Sequence, residues 1–374
     1  MRRLSTRDVA RARLVSLLLR GTAAATPLDV ATWFGAMQAQ DLASGKWSFG
    51  VRLPDWGEAD IDAAIERGDI LRTWPMRGTI HFIPPADARW MLELTGRRAL
   101  PAATRTHAAL GLDDATFDSA ATALEAALRG GHRLTRSQAK ETLGAAGIDT
   151  GGQRGYHLLW RTSILGITCI GPQSGAEQTF VLLDEWAPDQ RTLDRDDALR
   201  ELALRYFRSH GPAGVEDFAG WSGLTLTDAR AGVAACAAEL TQAEMDGRVL
   251  VLTRALDDAL ADGAARSAGP THALPGFDEF MLGYRDRGVQ VLGGLLDRVV
   301  PGGNGVFRPT LCADGRVLGT WTRRDRRARV DAHLEPFAPL TAAQGRAADA
   351  AFAAYARYRG VPVAWRIEDT APVT

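Results

Sequence analysis

Ile70-Leu71-Arg72-Thr73-Trp74 and Thr79-Ile80-His81-Phe82-Ile83, joined by Pro75-Met76-Arg77-Gly78, read as two strands around a turn. Upstream of them, apolar stripes at helical spacing predict helices near residues 6–20, 27–37 and 59–67. Val30, Trp33, Phe34 and Met37 fall on one face of the second. Thr26 before Pro27 is a favourable helix start, because the hydroxyl caps and proline has no amide to leave unpaired. Arg67-Gly68-Asp69 stops the third helix. Three helices followed by a β-hairpin is the element order of a winged helix.

The order recurs downstream. Residues 118–129, 135–143 and 156–163 have helical patterning, and Gly166-Ile167-Thr168-Cys169-Ile170 with Thr179-Phe180-Val181-Leu182-Leu183 flank a Gly/Pro-rich turn. A third copy runs through helices at 197–209, 215–221 and 227–240 and strands near 242–245 and 249–252, with Asp246-Gly247 between them. The expected fold is therefore α+β, with three tandem winged-helix units at 1–115, 116–195 and 196–256 and a linker at 257–272. The Gly/Ala/Asp-rich composition from Asp257 to Pro270 marks that linker. A small β-rich, barrel-like region is expected at 273–374, with strands at 277–284, 289–292, 307–312 and 316–322. A helix at 341–358 and a short terminal strand complete it.

With 374 residues, 46% of them hydrophobic, the chain can bury a large core. Cys169, Cys236 and Cys312 are odd in number and lack Cys-x-x-Cys spacing, which argues against a disulfide framework or a zinc knuckle. No run approaches a membrane span and the N-terminus lacks a signal core, so a cytoplasmic, nucleoid-associated monomer is expected, without membrane or obligate protein partner. The net charge of −1 is low for a nucleic-acid binder, but arginine is clustered. Arg323, Arg324, Arg326, Arg327 and Arg329 form the densest group, either a DNA contact or a solvated basic turn.

Familiar catalytic signatures are missing: no Walker loop, dinucleotide fingerprint, His-Glu-x-x-His or Gly-x-Ser-x-Gly. The seven histidines, at 81, 107, 132, 157, 210, 272 and 333, include no pair at ligand spacing, so neither metal nor cofactor is expected. What stands out is Met37-Gln38-Ala39-Gln40-Asp41, where an apolar helix ends. Residues two apart share a side in an extended segment but not on a helix. Gln38 and Gln40 can serve one site only if the helix finishes near Met37; otherwise they are polar residues on a helix end.

Several blocks carry a family likeness. They are Gln38-Ala39-Gln40 with Trp47 to Arg52; Arg72-Thr73-Trp74-Pro75-Met76-Arg77-Gly78-Thr79-Ile80-His81; His210-Gly211-Pro212-Ala213 through Trp221-Ser222-Gly223-Leu224; Leu274-Pro275-Gly276-Phe277-Asp278-Glu279-Phe280 through Arg287; and Asp314-Gly315-Arg316-Val317-Leu318-Gly319-Thr320-Trp321. In these the chain resembles the AlkZ-like family of bacterial DNA glycosylases, related to the YcaQ proteins. The resemblance implies tandem winged helices forming a concave surface for double-stranded DNA, and a glutamine-hydrophobic-glutamine motif matched by Gln38 and Gln40 as the catalytic pair. YcaQ-type relatives carry aspartate at the second position. Tyr284 stands where many members have a histidine, so that histidine's role does not carry over.

Two neutral amides define the chemistry such a site can perform. Alkylation at N7 of guanine makes the base a cation that leaves with little protonation, so the remaining work is to place water below C1′ as an oxocarbenium-like sugar forms. A glutamine carbonyl accepts from that water while its amide donates to sugar or phosphate. The implied activity is a monofunctional glycosylase acting on N7-alkylguanine and on interstrand crosslinks made through that atom. Asp41 either assists or caps the turn. Arg72, Arg77 and His81 lie on or beside the first hairpin, where cations hold phosphate without reading sequence; His81 alternatively packs. Trp74 and Met76 are hairpin-tip contacts or core, and Asp278, Asp286 and Arg287 read as structural ion-pairing residues. The competing readings are a winged-helix transcriptional regulator without chemistry, and an enzyme or scaffold that does not bind nucleic acid.

Overall fold

The chain begins with a strand that its sequence does not mark. In the computed structural model, which describes residues 1–21 and 24–368, β1 (Arg2–Arg3) precedes α1 (Thr6–Ser16), α2 (Pro27–Phe34), β2 (Met37–Gln38), α3 (Leu42–Gly50) and α4 (Glu58–Arg67). Ser5 and Thr26 each form a capping box, with Asp8 and Asp29, so the starts of α1 and α2 follow from local sequence. α3 is an addition to the expected helices. Its serines and glycines are poor helix formers, and burial of Trp47 and Phe49 holds it instead.

β3 (Leu71–Met76) and β4 (Thr79–Ile83) form the first hairpin. Its turn is only Arg77-Gly78, both in the left-handed region at φ of 54° and 67°; a two-residue turn of this kind matches the right-handed twist of the paired strands. Then come α5 (Ala88–Leu94), α6 (Leu100–Ala109), α7 (Asp114–Leu128), β5 (Leu134–Thr135), α8 (Arg136–Ala145), α9 (Arg154–Ile164), β6 (Thr168–Ser174), β7 (Glu177–Leu182) and α10 (Leu183–Trp186). β3 pairs antiparallel with β6, bringing Arg72 opposite Ile170, so the first two hairpins join edge to edge in the order β4-β3-β6-β7-β5. Joining them pairs strand edges that would otherwise be left open.

α11 (Arg195–His210), α12 (Val215–Ser222) and α13 (Leu226–Ala235) lead into β8 (Leu240–Met245) and β9 (Arg248–Thr253), which turn at Asp246-Gly247. β1 adds to this hairpin in parallel with β8. The core beneath is Leu4, Val9, Ala243, Met245, Leu250, Leu252 and Leu256. Contacts accordingly divide the chain into two units, Met1–Ile61 with Arg200–Thr374 and Asp62–Leu199, and not into consecutive segments. The N-terminus belongs with the third hairpin because β1 and α1 supply part of its sheet and core.

The expected linker begins inside α14 (Arg254–Ala261), which Thr253 caps and which buries Leu256. β10 (Thr271–Leu274), α15 (Glu279–Leu282), α16 (Leu296–Val299), β11 (Thr310–Ala313), β12 (Arg316–Asp325), β13 (Val330–Pro336), α17 (Ala342–Arg359) and β14 (Val363–Ile367) follow. The last sheet, β10-β11-β12-β13-β14, is an open half-barrel with β10 and β14 at its edges. Two expected strands are corrected. Residues 277–284 hold α15 because the Asp278 side chain caps the Phe280 amide at 2.9 Å; Phe280, Met281 and Leu282 are all buried, and an apolar run buried all round has no period to read. Residues 289–292 form turns, with Gln290 donating to the Phe280 carbonyl and accepting from Arg13. Among the described residues no helix is long and apolar enough to cross a membrane.

Candidate active site

α2 ends at Phe34 and Gly35 turns the chain at φ 81°. The helix thus finishes before Met37, which is the condition for the two glutamines to share a side. Met37 and Ala39 are buried, Gln38 is half-buried and Gln40 is exposed, the period-two alternation of an extended segment. Beyond Gln40, the Asp41 carboxylate accepts the Ser44 amide at 2.7 Å and starts α3. Asp41 therefore caps, fixing where the segment ends.

Within the same unit, the Gln38 backbone N–H donates to Glu279 Oε1 at 3.1 Å. Glu279 Oε2 accepts Trp221 Nε1–H at 2.9 Å and faces His210 Nε2 at 3.3 Å. This carboxylate is 2% exposed and His210 is fully buried. Among the described residues, the Gln38 side-chain Oε1 is buried without a hydrogen-bond partner. A buried acceptor left unmade costs about 1–3 kcal/mol, so the atom has a standing demand for a donor. Glu279, His210 and Trp221 lie in blocks that carry the family likeness but were given no role there; the available signal was a second charged residue, beside Asp278, at the head of the apolar run Phe280 to Leu282.

Next along the chain, Asp278 accepts Arg52 Nη1 at 2.8 Å, Arg52 Nη2 at 2.9 Å and Ser48 Oγ at 3.1 Å. Burial pushes this carboxyl up, but the Arg52 charge and these hydrogen bonds outweigh it and hold it below the usual carboxylate range. The structural reading of Asp278 is right in kind, but its partner is Arg52. Asp286 pairs with Arg248, and Arg287 donates to the Met281 carbonyl over the Phe307 ring. Tyr284 is buried, donates to the His210 carbonyl at 2.9 Å and carries the Arg13 guanidinium 3.8 Å from its ring centroid.

On the first hairpin, Trp74 and Met76 are core. Arg72 is buried too, its guanidinium over the Phe82 ring, and burial pulls it down to about 10. His81 is fully buried, with Nδ1 2.9 Å from the Thr79 carbonyl. Arg77 alone of this trio is exposed, at the turn. In the C-terminal sheet, Arg323 is half-buried and donates to the Tyr355 hydroxyl at 2.6 Å. Arg326 and Arg329 both bind Asp331. Arg324 and Arg327 are exposed at the β12–β13 end and enter no ion pair among the described residues. The three cysteines are free and buried; burial raises the Cys236 thiol to about 11 and Cys169 and Cys312 further, so none is poised as a nucleophile. Among the described residues no cluster of His, Cys, Asp and Glu is placed to hold a metal.

Comparison with known proteins identifies the class of enzyme. The family model described as "DNA glycosylase AlkZ-like" matches residues 32–358. The interstrand DNA cross-link repair glycosylase of Streptomyces sahachiroi is 27% identical over 304 residues, covering 73% of this chain and 79% of that protein. The solved structure of Streptomyces sahachiroi DNA glycosylase AlkZ matches with a TM-score of 0.80 over 98% of this chain and 100% of that one, at 23% identity, which is a likeness of fold. The chain belongs to the AlkZ-like family and is a DNA glycosylase of DNA repair.

Proposed function

We propose that the protein hydrolyses the N-glycosidic bond of cationic N7-alkylguanine in double-stranded DNA, including guanines tethered in interstrand crosslinks. The supporting observation is Gln38: a buried side-chain carbonyl lacking a donor, on a backbone that Glu279 holds. Its carbonyl orients the attacking water, and Gln40, two residues on and exposed, lies on the sugar-phosphate side. Positioning of this kind lowers a barrier by several kcal/mol, roughly within the range open to well-oriented reactants. A neutral pair cannot supply the electrostatic stabilisation of a carboxylate, hence a base already activated by alkylation. Water as nucleophile also fits the lysine inventory, which is Lys46, ion-paired with Glu58, and Lys140 on α8.

The helix-and-hairpin segments act on this reading as three tandem winged helices that bind DNA, with a monomer sufficient. Arg77 and Arg324 are the leading phosphate contacts because they are exposed, and Arg326 adds a weaker one beside Asp331. Arg72, His81 and Arg323 support the surface from beneath. Tethered strands prevent full extrusion of a crosslinked base, so an open site suits such a lesion better than a deep flipping pocket.

The test is abasic-site formation in duplexes carrying N7-methylguanine or an N7-linked crosslink. Wild type is expected to form alkali-labile sites, and Gln38→Ala and Gln40→Ala to slow this by on the order of a hundredfold, about 2.7 kcal/mol of transition-state stabilisation. Absence of abasic product from every such substrate, with binding intact, would reject the lesion class.

A further inference from the structure

Glu279 is a buried carboxylate for which the proposed water-placing chemistry has no use. It accepts from two N–H groups far apart in sequence, the Gln38 backbone and the Trp221 indole, and its Oε2 faces His210 Nε2 at 3.3 Å. We propose that Glu279 is a positioning residue for Gln38, fixing through the backbone N–H the point from which the Gln38 side chain reaches its water. This rests on the assignment of Gln38 to that task.

β2 is only two residues long, so it has little ladder of its own to fix it. A carboxylate satisfies the need because each oxygen accepts and neither donates, so Oε1 serves the Gln38 N–H while Oε2 serves the Trp221 N–H. A glutamine in the same place cannot. Its carbonyl takes one side of the cluster and its NH2 then opposes N–H donors on the other.

The rest of the cluster fixes the carboxylate in turn. His210 is stacked on Tyr206 at 4.6 Å between ring centroids and meets Phe34 edge-on at 5.6 Å. Its Nδ1 lies 2.8 Å from the Ser209 hydroxyl. Gly283 makes room for it: a Cβ there would stand 2.1 Å from His210 Cδ2, and the bare Gly283 carbonyl accepts the Tyr206 hydroxyl at 2.6 Å. Phe34 is the last residue of α2, so the imidazole bears on the chain just before the Gly35 turn while the carboxylate it faces holds the chain just after it. A side chain whose backbone anchor slips by 1 Å loses on the order of a hundredfold in rate when positioning is its contribution.

The experiment measures single-turnover base release from an N7-methylguanine duplex at saturating protein, with duplex affinity and the thermal melt of each variant. Glu279→Gln is expected to slow release at least tenfold while the Kd stays within twofold of wild type. Glu279→Asp, which keeps the charge but withdraws it by a methylene, is expected between the two. The double variant Gln38→Ala with Glu279→Gln is expected to be no slower than Gln38→Ala, because the anchor has nothing left to position. Folded E279Q at the wild-type rate, or E279Q multiplying the Q38A loss, would overturn the proposal while leaving Gln38 in its role. Should E279Q not fold, E279D at the wild-type rate overturns it equally. Q38A at the wild-type rate would overturn the assignment of Gln38 itself.

Discussion

The Arg52 guanidinium closes on the Asp278 carboxylate through two parallel hydrogen bonds of 2.8 and 2.9 Å, with both side chains out of contact with water. Arg52 also donates to the carbonyls of Leu17 and Ser48, and Asp278 caps the helix whose first residue is Glu279. The pair therefore sets where α15 begins, and with it the carboxylate that holds Gln38. Removing one partner leaves the other as an uncompensated buried charge. Asp278→Asn is expected to cost about 3–5 kcal/mol in urea unfolding. Because the folded carboxyl titrates below its unfolded value, the pair's contribution is complete above about pH 4 and is lost as pH falls through the depressed folded value. Equal stability of D278N and wild type at pH 7 would show that the pair contributes nothing net.

How much of this was legible before the structure depends on whether the deciding interaction is local. The hairpin at Arg77-Gly78 and the cap at Thr26 are written in neighbouring residues, and each is found where the sequence places it or within a residue or two. Gln38 and Gln40 were legible as a motif, and their shared side followed once α2 was seen to stop at Phe34. Glu279 was not, because the partners Gln38, His210 and Trp221 are 241, 69 and 58 residues away and it sits between Asp278 and the buried apolar run Phe280 to Leu282. α15 was misread as strand for the same reason. Arg72 and His81 were placed on the hairpin correctly, but their burial depends on packing that alternation alone does not disclose.

His272 gives a second pH dependence of the same sign. Its Nε2 donates to the Leu19 carbonyl at 2.7 Å, yet burial outweighs that bond and, with the Arg52 charge nearby, holds the imidazole below its ordinary value. The folded chain thus resists a proton that the unfolded chain accepts near pH 6.5. Stability is full above that pH and declines as pH falls toward the depressed folded value. His107 and His157, 3.2 Å apart and both lowered chiefly by burial, act in the same direction. Urea midpoints of wild type are expected to fall from pH 7.5 to 5.5 more steeply than those of His272→Gln. Parallel slopes for the two proteins would remove His272 from the account.

Arg77 occupies a backbone conformation that suits glycine, at φ 54°, while presenting its charge to solvent at the hairpin turn. A side chain in this region costs about 1–2 kcal/mol relative to glycine, so Arg77→Gly should leave the fold as stable as wild type or slightly more so. Stability and DNA affinity are then expected to part. If Arg77 holds a phosphate, R77G weakens binding to any duplex and reduces the slope of log K against log salt by about 0.9, the share of one phosphate contact. Arg324→Ala should behave alike, since Arg324 is exposed and outside any ion pair among the described residues. Arg326→Ala should lose less because Asp331 already draws that guanidinium toward itself. Fluorescence anisotropy on an undamaged duplex across a salt series separates these cases. An R77G protein with wild-type affinity and slope would leave the strained turn without a role in holding DNA.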